Sequence, residues 1–267
     1  MTAKKAGRIA DAYGDHAPAY ARWLEPILIS MAERVIALAD LAGHERILDL
    51  ATGTGLIART AAKFSTTVGA DISWGALRQA QRQSAGQVSW IAGDAHELPF
   101  KDSCFDLVTC GISLSHFSEV KSALFEARRV LRPSGQFITS AWGNAGRSPA
   151  KEATNKVRDK LLADRETTYG FEFNESLWAD PERGCEALQE AGFIDVRVST
   201  HMLSGKYQDH HQALETVLAW PITRYRIEQL SPEEQEHYHA EATRAIGKVD
   251  DLTWQSEVHY YQGVNQG

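Results

Sequence analysis

The sequence predicts an α/β fold, a doubly wound and mainly parallel sheet, on three observations. Between residues 46 and 142, short apolar runs of strand length alternate with stretches of helical period. The first run, Arg46-Ile47-Leu48-Asp49-Leu50, stops at a glycine turn, Ala51-Thr52-Gly53-Thr54-Gly55, that opens straight into a helix. An aspartate stands at the close of each of the first three runs, as Asp49, Asp71 and Asp94.

The elements follow in order. Residues 8–24 read as a helix, with Tyr13, Ala17, Tyr20 and Trp23 three or four apart. Pro26 precedes a second helix, 27–42, which Gly43 ends. The period then changes. Strands are expected at 46–50, 66–70, 88–91, 105–110 and 136–142, with helices at 56–64, 74–84 and 119–131 between them. Pro133-Ser134-Gly135 stops the last of these helices. After Gly143 the rhythm breaks. Residues 144–180 read as a helix followed by an aromatic-rich stretch, Tyr169-Gly170-Phe171-Glu172-Phe173, and Trp178. Pro181 opens a helix to 191, ended by Gly192. A sixth strand spans 195–200, 207–247 is mostly helical, and 254–261 alternates as a final strand. An interruption this long marks a cap or lid, because a plain connection takes only a few residues.

With 267 residues, 43% of them hydrophobic, the chain can bury the core of one large domain. The expected organisation is a single domain over 1–267. It has an N-terminal helical lid at 1–43, a cofactor-binding core at 44–143, and cap insertions at 144–180 and 203–250. The net charge of −7 leaves no broad basic field for a phosphate backbone, so no nucleic-acid partner is expected. Lys4-Lys5 and Arg128-Arg129 with Arg132 are short basic pieces that read as solvated faces. Cys104, Cys110 and Cys185 lack metal-ligand spacing and are odd in number, which reads as reduced thiols in a cytoplasmic protein. No H-E-x-x-H or similar histidine spacing calls for a metal. The stretch 27–42 is broken by Glu33, Arg34 and Asp40, so no membrane span is expected. Monomer and homodimer are both compatible with the sequence.

The glycine turn carries the chemistry. Glycines let the backbone bend sharply and approach a ligand, and the helix start adds unpaired amides and a positive dipole end. Gly53 to Ala58 also satisfies G-x-G-x-x-A, a pattern that fits NAD as well as S-adenosylmethionine (SAM). Asp71 can accept both hydroxyls of a ribose, in either cofactor. Asp94, followed by Ala95, suits the exocyclic amine of adenine. Asp49 beside the turn would repel a pyrophosphate but suits a cationic amino-acid tail. Three acids at successive strand ends, with no Arg or Lys beside them, match SAM, which carries an ammonium, a sulfonium, a ribose and an adenine.

Five segments together are more specific than any one: 47–55, Gly69-Ala70-Asp71-Ile72-Ser73, Gly93-Asp94-Ala95-His96-Glu97-Leu98-Pro99-Phe100, 105–110, and 126–135. Through them residues 46–143 resemble the class I SAM-dependent methyltransferases, closest to the branch of ubiquinone/menaquinone-biosynthesis C-methyltransferases. The resemblance implies a Rossmann-like seven-stranded sheet in the order 3-2-1-4-5-7-6, strand 7 antiparallel. It implies that the backbone at Ala51 and Gly53 faces the amino-acid tail of SAM, Asp71 the ribose, and Asp94-Ala95 the adenine. Thr52, Gly55, Ile72 and Gly111 complete the expected cofactor set, and Tyr20 joins it through a likeness of the first helix to the lid of that branch. Ala51 stands where Gly or Cys is commoner, and Ser134 where Gly is.

His116, just past the fourth strand, is at the carboxyl edge where ligands bind, and is the candidate general base; the alternative is that it orders its loop. Tyr13, His116, Trp142, Tyr169, Phe173 and Trp178 are the candidate lining of an apolar acceptor chamber, each with packing as its competing role. Trp74 is expected near the adenine edge or on an exposed helix face. The expected reaction is methyl transfer from SAM to an O, N or C atom of a small hydrophobic metabolite, leaving S-adenosylhomocysteine. A SAM-retaining isomerase, cyclase or binding module is the alternative reading, and an NAD-linked oxidoreductase a weaker one.

Overall fold

A computed structural model of the chain describes residues 3–39, 41–43, 45–117, 119–162 and 175–267; the predicted aromatic positions Tyr169, Phe171 and Phe173 lie outside these. Seven strands form one sheet: β1 (Arg46–Leu50), β2 (Thr66–Asp71), β3 (Val88–Ala92), β4 (Phe105–Gly111), β5 (Leu131–Arg147), β6 (Phe193–Lys206) and β7 (Thr253–Asn265). Their order is β3-β2-β1-β4-β5-β7-β6, as expected. β1 to β5 pair in parallel, and β7 runs antiparallel between β5 and β6.

β1 is apolar almost throughout because both its faces are covered. Successive residues point to opposite faces. Leu48 and Leu50 therefore pack with Val108, Cys110 and the buried side of α6 (Val120–Val130). Ile47 packs with Leu28 and Val35 of α3 (Glu25–Ala37) and Ile57 of α4 (Leu56–Ala61).

The helix predicted over 8–24 is two helices, α1 (Ala3–Asp15) and α2 (Ala17–Trp23). Pro18 sits in the first turn of α2 and has no N–H to continue the ladder of α1. β5, β6 and β7 are longer than predicted. Beyond Trp142 they continue as a ribbon, paired as far as Arg147 with Gln255 and Lys206 with Thr253. Asn144, Arg147, Ser204 and Lys206 make that ribbon polar, which hides it from a reading based on apolar runs.

The helices α7 (Pro149–Leu162), α10 (His210–Leu218), α11 (Pro221–Glu228) and α12 (Pro232–Ile246) share a small core of their own. Val157 and Leu161 of α7 meet Leu218, Ile227, Leu230, Tyr238 and Ala242 there. α12 starts at a capping box in which Ser231 and Glu234 satisfy each other's backbone amides. On the sheet, α1 crosses α5 (Trp74–Gln83) above the carboxyl ends of β1 to β4, the edge where ligands of open α/β sheets bind.

Candidate functional site

The glycine turn is shaped by left-handed backbone at Ala51 (φ 51°), Gly53 (φ 56°) and Gly55 (φ 85°). Gly55 is needed twice over: it caps α4, and a Cβ there would lie 2.3 Å from the Trp90 ring. At Gly53 a Cβ would meet no protein atom within 4 Å, and this residue lines the main cavity.

Asp49 is the tie beneath the turn. It is only 1% exposed. Its Oδ2 accepts from Thr52 Oγ1 (2.5 Å) and the Ala58 amide (3.1 Å), and its Oδ1 from Thr109 Oγ1 (2.8 Å). Burial outweighs these bonds and pushes its carboxyl up to about 6. Asp49 lines the cavity, but three protein donors hold it. Its contributions are the shape of the turn and a negative potential below it. Asp71 is half-buried at the end of β2. Its Oδ2 accepts from the Gly53 amide and its Oδ1 from the Ser73 amide, each at 2.7 Å. Burial raises its carboxyl too, against those bonds. Asp94 accepts from the amide and the imidazole of His96, at 2.9 and 2.6 Å.

The cavity gathers these residues at one place. Asp49, Ala51, Thr52, Gly53, Asp71, Ile72, Asp94, Ala95, Gly111, Tyr13, Tyr20 and His116 all line it. Gly55 shapes the turn without being part of the wall. Tyr20 is drawn in from α2, and burial raises its phenol well above the ordinary range. Tyr13 of α1 meets His116 after β4, with Oη 3.0 Å from Nε2. Burial lowers His116 to about 4, so its ring is uncharged at neutral pH.

Two expected lining residues are elsewhere. Trp142 packs edge-on against Trp220, and Trp178, 1% exposed, packs against Tyr261, whose hydroxyl donates to the Trp178 carbonyl at 2.7 Å. Neither is in the cavity wall. Trp74 is 68% exposed on the surface of α5.

Several wall residues carry no sequence signal of their own: Ile9, Ala10, Met31, Ile112 and Phe117. A pair of glycines could have revealed the first two. A Cβ on Gly75 would lie 2.5 Å from Gly14 Cα, so α1 crosses α5 at backbone contact. Ser73 Oγ then donates to the Ala10 carbonyl at 2.6 Å. Glu25, buried at the start of α3, likewise carries no sequence signal of its own. It accepts from Thr54 Oγ1 (2.5 Å) and Arg59 (2.7 Å) and ties α3 to the turn.

Among the described residues the wall holds three carboxylates and neither Lys nor Arg. That charge pattern suits a cationic ligand and opposes a pyrophosphate. No group of three His, Cys, Asp or Glu that could hold a metal occurs among the described residues, and none of their helices is long and apolar enough to cross a membrane.

The chain matches the methyltransferase domain family over residues 48–139. It is 33% identical over 212 residues to a demethylmenaquinone methyltransferase of Clavibacter sepedonicus, across 72% of this chain and 85% of that one. The chain belongs to the SAM-dependent methyltransferases. It is also 31% identical over 186 residues to a ubiquinone/menaquinone biosynthesis C-methyltransferase of Desulfotalea psychrophila, across 63% of this chain and 74% of that one. The same fold occurs in a Haemonchus contortus phosphoethanolamine N-methyltransferase solved with S-adenosylhomocysteine and phosphomonomethylethanolamine (TM-score 0.56, 19% identity, 94% of this chain and 57% of that one). Membership of this family resolves the ambiguity of G-x-G-x-x-A: this methyltransferase uses SAM. The acidic wall and the open side of Gly53 fit that cofactor.

Proposed function

We propose that this methyltransferase acts on a small, largely apolar acceptor, a hydroxylated aromatic ring of quinol type. The observation that carries this reading is the Tyr13–His116 contact inside the acid-lined cavity, at 3.0 Å. Around it the wall is apolar, with Met31, Leu56, Ile57 and Ile112. The relatives named for quinone C-methylation support a ring carbon as the methylated atom among the O, N and C alternatives.

Bound SAM supplies a methyl group already activated on a sulfonium. The chain's own task is to align the acceptor, exclude water and hold a proton. In this reading Asp71 holds the ribose hydroxyls, and the turn Ala51-Thr52-Gly53, shaped by Gly55, faces the amino-acid tail above the charge of Asp49. Asp94, Ala95 and Ile72 flank the adenine, and Tyr20 and Gly111 close the sides. His116 is neutral, because burial holds it at about 4. A neutral imidazole can accept a hydrogen bond from the hydroxyl of the acceptor without opposing a nearby sulfonium, and so raises electron density on the ring. We read residues 1–43 as the lid, 44–143 as the SAM-binding core, and 144–180 with 203–250 as the cap of one catalytic domain.

Incubation of the protein with SAM and panels of quinols, phenols and amines tests this, read by mass spectrometry. One S-adenosylhomocysteine is expected for each methylated ring. Conversion of an acceptor without S-adenosylhomocysteine would instead mark a SAM-retaining isomerase or cyclase. Amines methylated faster than every hydroxylated ring would overturn the acceptor class.

A further inference from the structure

β6 and β7 carry a second group of polar side chains, on the face that α3 covers and outside the cavity wall. Residues in register on an antiparallel pair share a face. Ser199 is the partner of Tyr260, and Arg197 of Gln262. His201, two residues past Ser199, lies on the same face, its ring centred 5.9 Å from that of Tyr260. α3 closes over this strand pair. Gln262 Nε2 donates to the Leu38 carbonyl at 3.0 Å, and the Arg34 guanidinium carbon is 5.7 Å from the centre of the Tyr260 ring.

The group is rich in donors and short of acceptors. Arg34 Nε, Ser199 Oγ and Tyr260 Oη are buried, and none has a hydrogen-bond partner among the described residues. Tyr260 is 0% exposed. Neither Arg34 nor Arg197 forms an ion pair with a described carboxylate, although the chain carries a net charge of −7. The acids nearest in sequence, Glu33 and Asp195, are both exposed. Burial first, and the charge of Arg34 second, hold the His201 imidazole below its usual range. The fixed positive charge here is therefore that of the two guanidiniums. Buried donors without acceptors cost free energy until an acceptor reaches them. A phosphate group supplies what is missing: negative charge for guanidinium forks, and further oxygens for the hydroxyls. A carboxylate offers two oxygens, which one guanidinium fork already engages.

We propose that Arg34, Arg197, Ser199, His201 and Tyr260 form a phosphate-binding site between α3 and the β6–β7 pair, separate from the main cavity. Entry of the ligand turns the part-exposed Arg34 side chain from the Tyr260 ring onto the phosphate and opens the two hydroxyls to it. The site stands in one row with the cavity wall: Tyr260 is in register with Ser140, and Ser140 with Gly111, which lines the cavity. At about 5 Å per strand, roughly 10 Å separates Gly111 from Tyr260. Met31, one helical turn before Arg34, is itself part of that wall.

The test is calorimetric titration and thermal unfolding of the full chain with inorganic phosphate, glycerol 3-phosphate and acetate at matched ionic strength. Saturable phosphate binding is expected, with the unfolding midpoint raised by roughly 3–6 °C at about ten times the Kd. Arg34→Met is expected to weaken phosphate binding on the order of a hundredfold, and Ser199→Ala and Tyr260→Phe on the order of tenfold each. Without phosphate, all three variants should unfold within about 2 °C of wild type, because each removes a donor that has no partner in the chain. Tighter binding of glycerol 3-phosphate than of phosphate supports the site and assigns it to a phosphate ester; equal or weaker binding supports it and assigns it to free phosphate. Acetate bound as tightly as phosphate overturns the ligand class. Absence of saturable phosphate binding overturns the site. So does an equal midpoint rise in wild type and Arg34→Met, which marks a general salt effect. A larger loss of stability without phosphate in both Ser199→Ala and Tyr260→Phe overturns it too, by showing that the hydroxyls serve the fold alone.

Discussion

On the strand side of the cavity the carboxylates are pinned by their neighbours: Asp49 by Thr52, Ala58 and Thr109, Asp71 by Gly53 and Ser73, Asp94 by His96. On the lid side, α1 is held by a glycine crossing, a serine hydroxyl on a helix carbonyl, and a phenol on an imidazole. The first wall is a network of hydrogen bonds among the chain's own groups. The second is a helix laid across the site on a few contacts. In the function proposed above, the fixed chemistry of the cofactor falls to the strands and the fit of the acceptor to α1.

The largest expected break in the strand wall is Asp71→Ala. It removes the ribose acceptor and leaves the Gly53 and Ser73 amides unsatisfied. SAM affinity is expected to fall on the order of a hundredfold, measured by calorimetry. An affinity within threefold of wild type would move the ribose away from β2.

Two buried groups of the site, Asp49 and His116, differ in the sign of their pH response. Asp49 has a folded pKa of about 6, above its unfolded value, so between pH 4 and 6 the folded state holds more protons there. Stability from this group falls as pH rises through that window. His116 has a folded pKa of about 4, below its unfolded value. The unfolded state holds more protons there, and stability rises with pH over nearly the same window. The two offset each other in the wild type. Urea unfolding at pH 4.5 and 6 separates them. Relative to wild type, Asp49→Asn is expected to gain stability with rising pH by about 2 kcal/mol, and His116→Gln to lose a similar amount. Parallel pH curves for all three proteins would show that neither group titrates in this range.

Gly75→Val tests the lid. Its side chain would collide with the Gly14 backbone and lift α1 from α5. A stability loss of about 1–3 kcal/mol is expected. SAM binding by the strand wall should weaken less than tenfold, while the KM of the acceptor rises more. Equal losses of both ligands would mean that the lid is part of the cofactor site.

The same division explains what was legible in the sequence. The strand wall was readable because its chemistry is local: Asp49, Gly53, Asp71 and Asp94 lie at the ends of their own strands or within a few residues of them, and parallel pairing brings successive strand ends together. The lid was legible only as a helix. Tyr13 and His116 are 103 residues apart, and no period in either segment signals their meeting. Trp142 and Trp178 were misplaced because an aromatic side chain packs under a sheet as readily as it lines a chamber, and sequence spacing does not distinguish the two. The Gly14–Gly75 crossing is the clue that was available, since two glycines on different helices give a backbone contact no other residue pair allows.

The smallest change gives the finest test. Tyr13→Phe keeps the ring against His116 and removes only the hydroxyl at 3.0 Å. A neutral hydrogen bond contributes about 0.5–1.5 kcal/mol net, so the effect is expected at threefold to tenfold. The contact joins the lid to the residue proposed to meet the acceptor, so the loss should fall on acceptor kcat/KM. Calorimetric SAM affinity and the unfolding midpoint should stay within twofold and about 2 °C of wild type. His116→Gln, which retains a hydrogen-bonding side chain, should then respond little to an added Tyr13→Phe, because the partner that the phenol positioned is already gone. If the two substitutions instead add in full, the phenol and the imidazole act independently, and the lid meets the acceptor through its apolar residues.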